Sequence, residues 1–346
     1  MTTEHSLSPN LPAGQVELNH GAGGRAMQQL IRQVFARELE NEFLAQGDDG
    51  ARLPSVAGRL VMATDAHVVS PLFFPGGDIG SLAVHGTLND VAVMGARPCY
   101  LSAAFILEEG LPLADLARIV ASMGRAARAA GVPVVTGDTK VVERGKADGV
   151  FITTTGVGVL MDGIALSGSY ARPGDAVLVS GLVGDHGMAI MSVRENLSFA
   201  APIVSDSAAL HGLIADLLTA VPQVHVLRDP TRGGVAATLN EIAQQSGVGI
   251  VLDEAAIPVR PAVAAACELL GLDPLNIANE GRVLVFCPAE HAAQALAALR
   301  AHPLGREAAR IGEVIADDRH FVQMQTRFGG RRMIDWLAGD ALPRIC

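Results

Sequence analysis

Short apolar runs that end in an acid or a glycine alternate with alanine-rich stretches of helical spacing, and this alternation limits the fold more than any other feature. In the first half, "RLVMATD", "ARPCYLSAAFIL", "VPVVTGD" and "GVFITTTGVGV" read as strands, with "DIGSLAVHGTLNDVAVMG" and "LADLARIVASMGRAARAAG" as helices. In the second half the strands are "DAVLVSG", "VGIVLD" and "RVLVFCP". The helices there are "DSAALHGLIADLLTAV", "GGVAATLNEIAQQSG", "RPAVAAACELLG" and "PAEHAAQALAALRAH". Strand and helix alternate in both halves, which predicts an α/β and α+β architecture and argues against an all-β one. The turn "ARPGDAV" is a domain boundary by its proline and glycine. The expected organisation is an arm with a Gly-rich loop over residues 1–50, an α/β domain over 51–165, an α+β domain over 166–325, and a tail over 326–346 that carries Cys346.

A chain of 346 residues with 49% hydrophobic and 18% charged side chains has the material for two packed domains. The formal charge of −10 argues against nucleic acid as a partner, because neutralising phosphate requires a basic surface. The sequence contains no apolar run long enough to span a bilayer, and its start lacks the basic and apolar blocks of a signal peptide, so a cytoplasmic protein without a membrane partner is expected.

Acidic residues stand where strands end: Asp48 and Asp49 in "GDDGARL", Asp65 in "MATDAHV", Asn89 and Asp90 in "TLNDVAV", and Asp138, Thr139 and Lys140 in "VVTGDTK". Any one of these acids is explained equally well as a turn or helix cap. Together they point to a Mg2+–nucleotide site, since open sheets place ligands at strand ends and clustered carboxylates need a cation between them. "LRDPTRGGVAATLNEI" adds Arg228, Asp229 and Arg232 before the pair Gly233 and Gly234, which opens a helix whose N-terminus suits phosphate. Glu280 precedes a buried-looking strand, where a local pairing with Arg282 is the plain alternative to a chemical role. "GAGGRA" matches the dinucleotide fingerprint only formally, because the run before it is short and polar; a loop that folds over phosphates fits its glycines better. His186 sits in a Gly-rich turn where it can touch a ligand, whereas His85, His211 and His291 lie in helical patterns and are expected to be non-catalytic.

Four cysteines without a C-x-x-C pair make neither a disulfide framework nor a zinc site. Cys267 and Cys287 read as small core hydrophobes. Cys346 follows "RFGGRRMIDWLAGDALPRI", whose glycines and proline predict an extended, mobile end with a reach on the order of 60 Å.

Taken together, "VVSPLFFPGGDIGSLAVHGTLNDVAVMGARPCYLS", "VTGDTKVV", "DPTRGG", "NEGR" and the final "PRIC" resemble, in order, the motifs of the hydrogenase maturation factor HypE family. That family lies in the aminoimidazole ribonucleotide synthetase (PurM-like) superfamily. The resemblance covers nearly the whole chain, and the final four residues are its most specific part. It implies a two-domain PurM-like fold that dimerises through the N-terminal sheet and binds ATP between its domains. It also implies a carbamoyl dehydratase: HypF places a carbamoyl group on Cys346, ATP drives dehydration of this S-carboxamide to a thiocyanate, and the cyanide passes to a HypC–HypD complex for nickel–iron hydrogenase assembly. By resemblance Asp48, Asp49, Asp65, Asp90 and Asp138 hold Mg2+. Asp65, Asn89, Asp90, Asp138, Thr139, Lys140, Asp229, Arg232 and Gly233 contact ATP, with Lys140 offsetting developing charge and Glu280 accepting protons. The rival readings are a thiamine-phosphate kinase-like or selenide-activating enzyme, which has no need of Cys346, and a non-catalytic scaffold with a docking tail.

Overall fold

The computed structural model of the chain describes residues 13–197, 202–336 and 344–346. The rest of the expected arm, and residues 337–343 of the expected tail, lie outside the described residues.

The arm carries α1 (Arg25–Leu30) and α2 (Ala36–Glu38), which flank a π-helical turn over Ile31–Phe35. The first domain then runs through β1 (Leu60–His67), β2 (Phe73–Phe74), β3 (Gly77–Asp78), α3 (Ile79–Val93), β4 (Ala96–Glu108), α4 (Leu113–Ala130), β5 (Val134–Val142) and β6 (Val150–Leu160). Its sheet has the order β1-β6-β4-β5, with only the β4–β5 pair parallel. Leu101, Phe105 and Leu107 of β4 point into the core beneath α3 and α4, and Phe35 of the arm packs edge-on against Phe105 at 4.9 Å. Asp78 caps α3 by accepting from the backbone N–H groups of Gly80 and Ser81. The helix is buried almost all round, so its sequence shows no amphipathic stripe.

The opposite face of this sheet is bare. Leu60 and Met62 on β1 are 60% and 72% exposed, and Ile106 on β4 is also exposed. Asp138 and Lys140 lie on this bare face, because β5 pairs them with Ala104 and Ile106. Asp65 pairs with the buried Thr154 and therefore faces the helices.

The second domain contains β7 (Asp175–Val179), α5 (Asp185–Arg194), α6 (His211–Ala220), β8 (Val226–Arg228), α7 (Gly234–Ser246) and β9 (Gly249–Asp253). It continues through α8 (Pro261–Leu270), β10 (Leu284–Pro288), α9 (Ala292–Ala301), β11 (Ala309–Ile315), β12 (Val322–Gln325) and β13 (Arg331–Met333). Its sheet order is β13-β12-β9-β11-β7-β10-β8. Both faces are covered. Val177, Val179, Leu284 and Phe286 pack with α7, while Ala176, Leu178, Val285 and Cys287 pack with α6 and α9. Burial on both sides is why "DAVLVSG" and "RVLVFCP" are continuously apolar. Cys267 and Cys287 are both buried in apolar cores.

Two sequence expectations change. The sheet takes in Arg331–Met333, which the sequence reading assigned to the tail, because the segment folds back and pairs with β12. The helix expected from "DSAALHG" onwards begins only at His211. The preceding residues are held elsewhere: the Asp206 carboxylate accepts from the N–H groups of Glu280 and Gly281, and the Leu210 N–H donates to Asn89 Oδ1.

The close approach of α3 to α4 depends on Gly80, where a Cβ would come within 2.2 Å of the Ile119 carbonyl oxygen. Gly80→Ala is expected to destabilise the fold by about 1–3 kcal/mol through overpacking. A urea denaturation midpoint equal to that of the parent chain would contradict this.

Candidate active site at the seam between the domains

The two domains meet along α3. Asn89 Nδ2 donates to the carbonyls of Ala208 (3.0 Å) and Glu280 (3.3 Å), and its Oδ1 accepts from Leu210. All three bonds join α3 to the second domain, so Asn89 acts as a clamp across the seam. Its neighbour Asp90 enters a cleft of about 480 Å3, together with Asp65, Arg228, Asp229, Arg232, Glu280 and Cys346. Gly86 lets α3 approach β1 here, since a Cβ would lie 3.0 Å from His67 Cε1 and 3.4 Å from Asp65 Oδ2.

Glu280 and Asp229 sit on loops fixed by other polar groups. Asn279 accepts from the Gly184 N–H at 2.7 Å and donates to the carbonyls of Pro230 and Ile277. Gly233 and Gly234 have φ of +73° and +62°, and a Cβ on Gly234 would meet the carbonyls of Leu275 and Ile277 at 2.5 and 2.6 Å. The turn before α7 can therefore be built only with glycine there.

Burial, reinforced by the charges of Asp229, Asp206, Asp65 and Asp90, pushes the Glu280 carboxyl well above the usual carboxylate range. Glu280 Oε1 is buried without a hydrogen-bond partner. Desolvation and the neighbouring acids raise Asp90 to about 7, and mainly desolvation raises Asp229 to about 6. Arg228 and Arg232 only partly offset this accumulation of like charge. The Cys346 thiol faces Glu280, and burial together with that carboxyl holds it protonated.

The end of the chain is docked. Val68 N–H donates to the Cys346 backbone oxygen at 3.0 Å, and Ser70 N–H to the Arg344 carbonyl at 3.2 Å. Ile345 is buried in an apolar cluster that both domains contribute to, and Arg344 forms an ion pair with Asp148. The sequence reading expected a mobile end, but it had no means of seeing the slot that receives these three residues.

The candidate residues thus separate into groups. Asp65, Asp90, Asp229, Arg232, Glu280 and Cys346 share the cleft. Gly233 shapes the turn beside it, and Asn89 is spent on the clamp. Asp138 and Lys140 pair with each other at 2.8 Å on the bare sheet face. Asp138 and Thr139 line a separate hollow against the arm residues Met27, Ile31 and Phe35. Asp48 pairs with Arg52 at 2.6 Å in the exposed loop that also holds Asp49. In the Gly-rich loop, Gly21 abuts Val141 of β5. The sequence reading missed Asp206, Asn279 and His67, whose buried ring lies 3.6 Å from Asp65. Asn279 lies in "NEGR" and His67 in "MATDAHV", which was the available signal for these two; Asp206, in "DSAALHG", was read as the start of a helix.

A carboxyl whose pKa is raised on folding holds a proton that the unfolded chain has released. Its contribution is therefore favourable at low pH and is lost as pH rises towards the folded pKa. Between its ordinary value of 3.8 and about 6, Asp229 should weaken the fold as pH rises, and Asp90 acts in the same sense up to about 7. Asp229→Asn should consequently gain stability over the parent between about pH 4.5 and 7.5, by on the order of 2–3 kcal/mol. A Tm difference between the two proteins that stays flat with pH would refute it.

Residues 47–160 match the family model for the N-terminal domain of AIR synthase related proteins, and residues 172–325 match the one for the C-terminal domain. The chain is 68% identical to carbamoyl dehydratase HypE of Azotobacter vinelandii, over 97% of this chain and 99% of the relative. A crystal structure of hydrogenase maturation protein HypE in complex with ATP superposes with a TM-score of 0.92 at 53% identity, covering 95% of this chain and 99% of that one. The HypE in a crystal structure of a HypE–HypF complex gives a TM-score of 0.78 at 50% identity, over 89% and 99% of the two chains. Thiamine monophosphate kinase from Aquifex aeolicus, at 19% identity and a TM-score of 0.58 over 92% of this chain and 99% of that one, shares the fold alone. On this evidence the chain belongs to the HypE family of hydrogenase maturation proteins, the carbamoyl dehydratases, and has the two-domain PurM-like fold.

Proposed function

We propose that the chain carries a carbamoyl group on Cys346 and dehydrates it in its own cleft, with ATP consumed, to an S-cyano group. The observation that supports this most directly is the placement of the Cys346 thiol against the Glu280 carboxyl among Asp65, Asp90, Asp229, Arg228 and Arg232. A small-molecule kinase has no use for its own cysteine there, and a scaffold has no use for buried acids.

The cleft residues fit a Mg–nucleotide. Arg228, Arg232 and the N-terminus of α7 offer positive charge for phosphate, and the acids offer hard oxygen donors. Among the described residues no group of three His, Cys, Asp or Glu is arranged to hold a metal unaided. That suits Mg2+, which takes one or two carboxylates and completes its shell with phosphate oxygens and water. Asp65 and Asp90 are the ligands this cleft offers, with Asp229 beside them. When bound, ATP supplies the phosphoryl group that turns the amide oxygen into a leaving group.

The chain's own residues do the rest. Docking of Ile345 and Cys346 presents the S-carboxamide to Glu280. The amide carries two N–H protons, and both must leave as the C≡N bond forms and the oxygen departs with phosphate. Glu280 is the acceptor within reach once its carboxylate form is stabilised by positive charge in the cleft. Burial of the tail keeps water from the reacting carbon. For Asp48, Asp49, Asp138, Thr139 and Lys140 to act on the nucleotide, a second copy must bring them to it. The bare sheet face with Leu60, Met62 and Ile106 is the surface we propose for that homodimer. HypF is the proposed carbamoyl donor and a HypC–HypD complex the cyanide acceptor, in the cytoplasm. No helix among the described residues is long and apolar enough to cross a membrane.

Intact mass spectrometry tests the assignment after incubation with carbamoyl phosphate, ATP, Mg2+ and HypF. One carbamoyl group should appear on Cys346, followed by loss of one water only with Mg2+ and ATP. Glu280→Gln should retain the carbamoyl group and lose water on the order of 10²–10⁴-fold more slowly. An adduct-free Cys346, or full dehydration by the Gln variant, would remove the assignment.

A further inference from the structure

His186 is completely buried, yet it lies outside the carboxylate cleft and takes no part in the chemistry above. Its Nε2 lies 2.8 Å from the carbonyl oxygen of Ile345, and its Nδ1 lies 2.8 Å from Ser205 Oγ. The geometry fixes the roles. A carbonyl oxygen can only accept, so Nε2 carries the proton and donates it to Ile345. Nδ1 of the neutral ring then accepts from the Ser205 hydroxyl, whose oxygen in turn accepts from the Ser207 N–H at 3.1 Å. Phe74 packs edge-on against the ring at 5.5 Å and completes its orientation.

The backbone oxygens of the last three residues are held from separate places. The first domain binds Arg344 and Cys346 through the main chain of Ser70 and Val68, and the Arg344 oxygen also accepts from the Arg194 guanidinium at the end of α5. Ile345 is bound by His186, on α5 of the second domain. Without that donor the Ile345 carbonyl would be buried and unpaired, which disfavours the docked state by the desolvation of a polar group. The segment Ser205–Leu210 that orients the ring also holds the Glu280 loop, through Asp206. The donor for the tail and the carboxyl that faces the thiol are therefore supported by the same few residues.

We propose that His186 is a positioning residue for the reaction. By donating to Ile345 it latches the tail across the seam and sets Cys346 opposite Glu280. The latch rests on the functional reading above only for its catalytic consequence; its structural claim concerns tail docking alone. Because a docked Cys346 faces its own cleft, the latch must open for the thiol to meet another protein. Loss of the latch should thus have opposite effects on two steps performed by the same residue.

The test compares the parent chain with His186→Phe, which keeps a ring and lacks the donor, and His186→Gln, whose amide N–H can replace it. Three rates are measured: alkylation of Cys346 by iodoacetamide, HypF-dependent carbamoylation, and single-turnover loss of water with Mg2+ and ATP. For His186→Phe, alkylation should rise and dehydration fall, with the two fold-changes multiplying to about tenfold, as expected for about 1.4 kcal/mol of lost docking free energy. Carbamoylation should be unchanged or faster, and His186→Gln should reverse at least part of both changes. Unchanged alkylation in a folded His186→Phe protein would overturn the latch, as would a parallel fall in all three rates. If His186→Phe does not fold, Ser205→Ala, which removes only the hydroxyl that orients the ring, is judged by the same criteria. Should the parent chain itself fail to carry or dehydrate a carbamoyl group, the functional reading fails, while the alkylation rates still decide the latch.

Discussion

Asp65, Asp90, Asp229 and Glu280 bring four carboxyl groups to one cleft, with two arginines as the nearby positive charge. Such an arrangement is tolerated because burial and mutual repulsion keep part of the set protonated. The cleft is therefore electrostatically incomplete in a way that favours an arriving cation, and the surrounding structure maintains that condition. Asn89 fastens α3 to the second domain, Asp206 and Asn279 hold the Glu280 loop, and Gly86 permits the approach of α3 to β1. None of these groups does chemistry. Each prevents the acids from relaxing apart into solvent, where their pKa values would return to ordinary.

The docked end of the chain follows from the same logic. A thiol beside a protonated carboxyl, itself kept protonated by burial, is a poor nucleophile. A carrier cysteine need not be reactive in its own cleft, because the group it presents reacts there while its sulfur stays in place. Docking depends on short-range geometry: a buried isoleucine, an ion pair from Arg344 to Asp148, and accepted hydrogen bonds from Val68, Ser70, His186 and Arg194. Ile345 lies between the two polar residues Arg344 and Cys346 with its side chain in the core, which gives each of the last three residues a separate physical task.

The positions of Asp138 and Lys140 carry a further consequence. Strand alternation puts them on the face of the sheet opposite Asp65, so one chain cannot bring both sets to one nucleotide by side-chain motion alone. A mostly apolar bare face next to Asp138 and Lys140 is the reason we propose that two copies share a site, and the proposed homodimer would have a chemical purpose in addition to covering surface.

Much was legible in the linear sequence because it depends on local chemistry. The alternation of apolar runs and alanine-rich stretches specified both domains, whereas the acids read as strand ends lie inside β1 (Asp65), α3 (Asp90) and β5 (Asp138), of which Asp65 and Asp90 line the cleft. The motif order, ending in Pro-Arg-Ile-Cys, identified the family. Other features depended on which residues meet across long separations, and local patterns carry no information about that. Asn89 reads as a ligand in sequence and acts as a clamp, Asp206 reads as the start of a helix and holds a loop, and His186 reads as a turn residue and holds the tail. Only the tertiary structure decided that Asp65 and Lys140 face opposite ways, and that a terminus rich in helix breakers has a slot to occupy. Both are set by side-chain packing and strand register, which are properties of the folded chain as a whole.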